Sequence, residues 1–266
     1  MARFDVRRGT CEADKDTTHV TGHPFRSQIY DYNSTWRVRE YLTTGDDTLS
    51  TFTDTTMSQP YGIAADDQGR VYVAGIAVVL DTSQTDQRIR TRRFASRVYR
   101  YVRGPLGPGI QDPYMPGSLE WHRDPTWLVL DGSGNSSISD PRGIEWAPDG
   151  SNALFIADRE NNQVKAVSTQ AIGQSIVSVD GQTTGSNLNH PEDVATDRAG
   201  FFYLVDRENH RVLRYDRAGN SVQRVDEKPN AHGLPLLDPT AVTADSSLVY
   251  VADRGRGQII VYNRIK

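Results

Sequence analysis

The stretch HPEDVATDRAGFFYLVDRENHRVLRYD, residues 190–216, packs a proline, three apolar runs and two turns into 27 residues. The first run ends at an Asp/Gly turn and the second ends in Val-Asp before a polar turn leads into the third. Nearly the same order recurs in QPYGIAADDQGRVYVAG (59–75), DPRGIEWAPDGSNALFIADRENNQVKAV (140–167) and DPTAVTADSSLVYVADRGRGQIIVYN (238–263). The leading prolines are Pro60, Pro141, Pro191 and Pro239, spaced 81, 50 and 48 residues apart. A fixed period of this length marks stacked supersecondary units, each too small to bury its own apolar faces.

Within each unit, alternating β-branched and aromatic residues bounded by turn formers predict strands. First strands are expected over 62–66, 143–147, 193–197 and 241–245, and second strands over 71–74, 153–157, 201–205 and 248–252. Third strands follow over 97–102, 163–167, 211–216 and 258–263, with fourth strands at 175–180 and 221–226. Nothing reads as a helix of ordinary length. Four-stranded antiparallel units at this spacing predict an all-β fold, a β-propeller of about five blades, with four or six as alternatives.

The pattern P-x-G/D-I/V-A, then YVAD-R-x-N, then RV-x-RY resembles NHL-type propeller repeats from residue 59 onward, apart from two insertions. That resemblance implies one propeller domain over 1–266. Residues 1–55 would form a degenerate first blade and the ring closure, and 56–137 a blade with insertions at 76–96 and 104–124. Further blades are expected at 138–187, 188–235 and 236–266. The last ends after three strands. A strand at 3–7 is expected to complete it, unless another subunit does. Residues 27–33 resemble a third strand and 35–42 a fourth.

Bulk properties narrow the function classes. The chain has 266 residues and a formal charge of −4, so no global field draws it to nucleic acid or anionic membranes. Cys11 is the only cysteine, which excludes an internal disulfide and a cysteine metal site. MARFDVRRGTCEADKDTT at the start holds no apolar signal or anchor segment, and no window approaches the roughly 20 apolar residues of a membrane span. A soluble chain without membrane insertion is expected, in a compartment the sequence does not specify.

The resemblance implies that second-to-third-strand loops and the connections before each proline gather at one end of the propeller, around the channel mouth. Tyr61, Arg142, Glu192 and Thr240 follow the prolines there, flanked by Gln59, Asp140, His190 and Asp238, with Arg159, Arg207 and Arg254 in the loops. Glu145 and Trp146 replace small residues found in the other repeats, and Asp193 neighbours Glu192. Tyr61, Arg142, Glu145, Trp146, His190, Glu192, Asp193 and Thr240 are therefore the candidate ligand-binding residues. The insertion 76–96 carries Arg88, Arg90, Arg92 and Arg93, continued by Arg97, and arginine at this density suits carboxylate or phosphate on a partner.

Three functions compete. A binding or assembly module for a protein or peptide leads, with a small-molecule ligand as a variant. The alternative is a hydrolase, lyase or isomerase in which Glu145 or Glu192 is general base and Arg142 stabilises negative charge. Calcium on oxygens from Asp140, Glu145, Glu192, Asp193 and Asp238 belongs to that alternative. Single-stranded RNA is disfavoured, because only Phe94, Tyr99 and Tyr101 interleave with the arginines, too few for a stacking platform. The zinc histidines that resembling amidating lyases carry after such prolines are missing, so no metal or other cofactor is assigned.

Overall fold

The computed structural model describes residues 2–6, 25–32, 35–42, 48–52, 54, 56–80, 92–104, 121–130, 137–170, 175–181, 185, 187–220, 222–227 and 235–264. They form two compact units, Met1–Leu128 and Val129–Lys266. Among the described residues all regular structure is β apart from three single 310 turns, and it falls into five sheets, in keeping with the blade number of about five that the repeats predict. Each is a propeller blade: strands adjacent in sequence are adjacent in the sheet.

The second unit shows the repeat in regular form. Its strands are β9 (Pro141–Trp146), β10 (Ala153–Asp158), β11 (Gln163–Ser168) and β12 (Ser175–Val179) in one sheet. Next come β13 (Pro191–Thr196), β14 (Phe201–Asp206), β15 (Arg211–Asp216) and β16 (Val222–Arg224). The third sheet has β17 (Pro239–Ala244), β18 (Leu248–Asp253) and β19 (Gln258–Asn263), and among the described residues no fourth strand. β10 is buried at every position, and so reads ALFIAD, an almost unbroken apolar run. Between the first two sheets, Phe155, Phe202 and Tyr215 form a ring ladder with centroids 4.8 and 5.1 Å apart. Between the second and third, Tyr203, Val205, Val249, Val251 and Ile260 build the next core.

The Asp/Gly turn after each first strand has its own internal device. Asp66, Asp197 and Asp245 each accept backbone N–H bonds from the turn and a hydroxyl from Tyr72, Tyr203 or Tyr250 at 2.9–3.2 Å. In the sheet of β9–β12 the tyrosine is replaced by Phe155, and Arg217 from the next sheet bonds Asp149 instead, at 2.5 Å.

In the second unit the first strands begin at the repeat proline, two residues before the expected start, while the strand through Pro60 begins earlier, at Met57; the ladder slips just after the proline in all four sheets. Proline brings no N–H to the ladder, and the extra residue forms a bulge. Glu192 is skipped in the register between Pro191 and Asp193, as are Tyr61 after Pro60 and Thr240 after Pro239. The bulges therefore aim the side chains that sequence reading placed at the mouth.

The first unit departs from expectation in three places. β1 (Ala2–Val6) pairs in parallel with β2 (Phe25–Tyr32), so it lies in the first sheet and not beside the last as expected for 3–7. β2 and β3 (Thr35–Leu42) take the second and third positions of that sheet, one place inward of the expectation, and β4 (Thr48–Phe52) is the fourth. In the second sheet β5 (Met57–Ala65) pairs with β6 (Val71–Leu80), and β6 with β7 (Arg92–Arg103); β8 (Trp121–Leu130) is fourth. Much of the insertion 76–96 is thus a β-ribbon, in register from Ile76↔Ser96 to Leu80↔Arg92. The unbroken apolar, partly β-branched run GIAVVL carries the strand onward.

Candidate functional site

At one end of the second unit, seven side chains from its three sheets form a belt of alternating charge. Asp140 Oδ2 accepts Arg142 Nη2 at 2.7 Å and Arg159 Nη1 at 3.0 Å. Arg159 Nε lies 3.6 Å from Glu192 Oε2, which accepts Arg207 Nη1 at 3.2 Å. Arg207 Nε donates to Asp238 Oδ1 at 2.7 Å, and Arg254 Nε to Asp238 Oδ2 at 2.6 Å. Four guanidiniums thus alternate with three carboxylates, and two of the links, Arg159 to Glu192 and Arg207 to Asp238, cross from one blade to the next.

Local structure places each member. Arg159 and Arg207 open one-turn 310 segments whose following residues, Asn162 and His210, close them at φ 51° and 50°. Those segments hang from Asp158 and Asp206, both fully buried. Asp158 accepts Ser139 N–H at 2.6 Å, Asp206 accepts Asn189 N–H at 2.7 Å, and Asp253 accepts Leu237 and Asp238 N–H at 2.9 Å. The strand-end aspartates thereby tie each arginine loop to the connection before its proline. Burial pushes Asp158 above the usual carboxylate range, opposed by the Ser139 N–H. The hydrogen bond from Arg207 holds Asp238 below that range, helped by Arg254.

Beneath the belt, Asp193 spans three first strands. Its Oδ2 accepts Val242 N–H of β17 at 2.9 Å, and its Oδ1 sits where a side chain on Gly143 of β9 would be. Only glycine at 143 admits it. Burial raises this carboxyl to about 7, against the opposing N–H bonds of Val242 and Val194; the Glu192 charge raises it further.

Of the candidate ligand residues, Arg142 and Glu192 enter the belt and Asp193 underlies it. His190 adopts φ 50°, with its N–H on Asn162 Oδ1 at 2.8 Å and its ring 3.9 Å from Glu160. Thr240 is half-buried on its bulge. Glu145 and Trp146 lie further along β9, Glu145 opposite Phe155 and Trp146 opposite Leu154. Trp146 is only 6 % exposed, and its indole Nε1–H has no hydrogen-bond acceptor. Tyr61 belongs to the first unit, where its hydroxyl donates to Gln59 Oε1.

Arg97 is buried and donates to the Ser96 carbonyl at 2.7 Å, so it is not part of an exposed arginine surface. Arg92 and Arg93 lie on β7 of the ribbon, while Arg88 and Arg90 fall outside the described residues. The oxygens considered for calcium on Asp140, Glu192 and Asp238 face guanidiniums, and among the described residues no three His, Cys, Asp or Glu side chains converge. No helix among them is long and apolar enough to cross a membrane.

The belt arginines Arg159, Arg207 and Arg254 were recognisable as equivalent repeat positions. Their cross-blade partners Glu192 and Asp238 stand beside repeat prolines, but the pairing itself had no local sequence signal.

The NHL repeat family matches residues 188–215, which run from the connection before β13 through β15. No curated protein matches the chain in sequence. Among solved structures, it is similar to a streptogramin B lyase at 12% identity, covering 90% of this chain and 68% of that one, with a TM-score of 0.46. A chain of a nidogen/laminin complex is similar at 13% identity, 86% and 85% coverage and a TM-score of 0.43. A Bacteroides caccae protein of unknown function gives 10% identity, 85% coverage of each chain and a TM-score of 0.43.

Proposed function

We propose that this β-propeller chain, with an NHL repeat at 188–215, is a protein-binding module whose working face is the belt end of the second unit. The observation that carries the reading is the charge belt itself. Three of its four arginines, Arg159, Arg207 and Arg254, occupy equivalent positions in successive blades, the strand-end aspartates fix their loops, and bulges aim Arg142 and Glu192 beside them. A partly exposed ion pair is worth only about 0–1 kcal/mol, so the arrangement adds less to stability than it does to a patterned recognition surface. Repeat folds commonly present such broad faces to proteins.

The ribbon of β6 and β7 is a second proposed contact. It carries Arg92 and Arg93, and its Phe94 is 68 % exposed. An enzymatic alternative draws on Asp193, whose carboxyl near 7 is suited to proton transfer. Against it, that carboxyl holds the Val242 N–H and fills the space at Gly143, and Glu192 would first have to leave two arginines. Calcium belongs only to that alternative.

The test is charge reversal with R159E and R207E together. A partner co-purified from the native source, then purified separately, is titrated against both forms by calorimetry. The expected result is a loss of affinity of at least tenfold in the double variant with its thermal unfolding cooperative. Unchanged affinity would remove this face from the interface.

A further inference from the structure

The three carboxylates of the belt are not held alike. Asp238 takes its two arginines at 2.7 and 2.6 Å and Asp140 takes its own at 2.7 and 3.0 Å, the range of charge-assisted bonds. Glu192 meets Arg207 at 3.2 Å and Arg159 at 3.6 Å, both on the single oxygen Oε2. The longer of these is an ion pair without a hydrogen bond. Arg159 Nε, enclosed within the protein, has no acceptor. An enclosed donor left without an acceptor costs about 1–3 kcal/mol.

The repeat explains the irregularity. Asp140 and Asp238 stand directly before their prolines, each between two arginines. The residue before Pro191 is His190, which brings no carboxylate. Glu192, two residues later on the bulge of β13, reaches across with a longer side chain and fills the gap loosely. The centre of the belt therefore has two guanidiniums, with a histidine at the equivalent of the missing Asp, around one tethered and poorly bonded carboxylate.

We propose that this point is an oxyanion subsite, in which a carboxylate or phosphate monoester of the protein partner displaces Glu192 and bonds Arg159 and Arg207. The Glu192 side chain is an internal stand-in for that group. The incoming oxyanion supplies the acceptor that Arg159 Nε lacks, and planar guanidiniums suit two-point bonding to either group. The incoming oxyanion takes the place of the displaced Glu192 carboxylate on both arginines, and that carboxylate moves into the solvent that already reaches 19% of its side chain. The inference rests on the reading of this face as the binding surface.

Glu192→Gln tests it. The change is nearly isosteric and removes the competing charge while leaving both arginines. Arginine Nε–Hε signals are followed by NMR during titration with inorganic phosphate, an acetylated and amidated Gly-Glu-Gly peptide, and its phosphoserine counterpart. The proposal expects E192Q to bind at least one probe about tenfold more tightly than the unaltered protein, with shifts at Arg159 and Arg207. Adding R207Q should reverse the gain. A preference for the glutamate peptide identifies a carboxylate partner, and preference for the phosphoserine peptide identifies a phosphate. Equal or weaker binding by E192Q, or shifts confined to the exposed Arg254, overturns the proposal. If E192Q shows no gain while charge reversal still abolishes partner binding, the subsite fails and the face stands. If charge reversal has no effect, the face itself fails.

Discussion

Strand β14 stops at Asp206, whereas β6 runs straight through its equivalent, Gly75, and the two sheets diverge from that residue. Asp206 turns its carboxylate back to Asn189 N–H and Arg211 Nε, both at 2.7 Å, and the chain folds into a one-turn loop that presents Arg207. Gly75 has no side chain to do this. The backbone of Gln59 and Pro60 closes onto it so tightly that a Cβ would overlap the Gln59 carbonyl. The ladder then continues to Leu80. One position thus decides whether a blade ends in an arginine loop or in a ribbon. The second sheet finds its buried carboxylate elsewhere: Asp54 accepts Tyr101 Oη at 2.9 Å and Arg123 Nε at 2.9 Å.

The largest expected effect breaks the loop-forming side of this comparison. D206A removes a fully buried carboxylate that is at once the acceptor of the Asn189 N–H and the partner of a guanidinium, and should cost about 3 kcal/mol in urea unfolding. It should also free the 207–209 segment, seen as faster amide exchange at Glu208 and His210. A loss under about 1 kcal/mol would mean that the loop holds its shape without Asp206.

G75A attacks the other side. The Gln59 carbonyl must retreat to admit the methyl group, at about 2 kcal/mol, a typical cost of overpacking. Amide exchange should rise in β5 and β6 and stay unchanged in β13 and β14. Unchanged exchange throughout would show that the close approach at Gly75 is incidental to the ribbon.

The second unit was the more legible because its landmarks are local. Proline, Asp-turn and strand-end Asp recur within each copy, so β9–β11, β13–β15 and β17–β19 fall close to their expected places. The bulges are not legible in that signal: that the residue after the proline has no partner in the ladder shows only in the strand register. The first sheet has neither the repeat proline nor the Val-Asp ending, so the pattern predicts its strands one position outward of where they lie. The ribbon was hidden by DTSQTDQ, which has the composition of a loop. In the belt, Arg207 bonds an aspartate 31 residues away and Arg159 approaches a glutamate in the next blade. Such pairs depend on how sheets stack, which no single repeat encodes.

Asp193 sharpens the comparison through pH, because Gly62 occupies its place in the second sheet. The Asp193 carboxyl titrates near 7 in the folded protein and near 3.9 in an unfolded chain. The folded state therefore holds a proton that the unfolded chain has released. Its contribution is fully present below about pH 4 and is lost as pH rises through about 7. D193N keeps an oxygen for the Val242 N–H and cannot titrate, so its melting temperature should fall less over that window. A slope equal to that of the unaltered protein would mean that Asp193 is ionised throughout.

The smallest effect separates the two ends of the Arg207–Asp238–Arg254 run. Arg254 and Arg207 bond the same aspartate at 2.6 and 2.7 Å, yet their side chains are 66 % and 19 % exposed. Water and salt screen the outer pair, while the inner guanidinium has less solvent to replace its partners. R254A should therefore change stability by less than about 0.5 kcal/mol, and R207A by about 1 kcal/mol, since it also releases Glu192. The difference should shrink as salt is raised from 0.05 to about 1 M, where the Debye length falls to about 3 Å. Equal losses at low salt would mean that bond length, and not enclosure, sets the strength of these pairs.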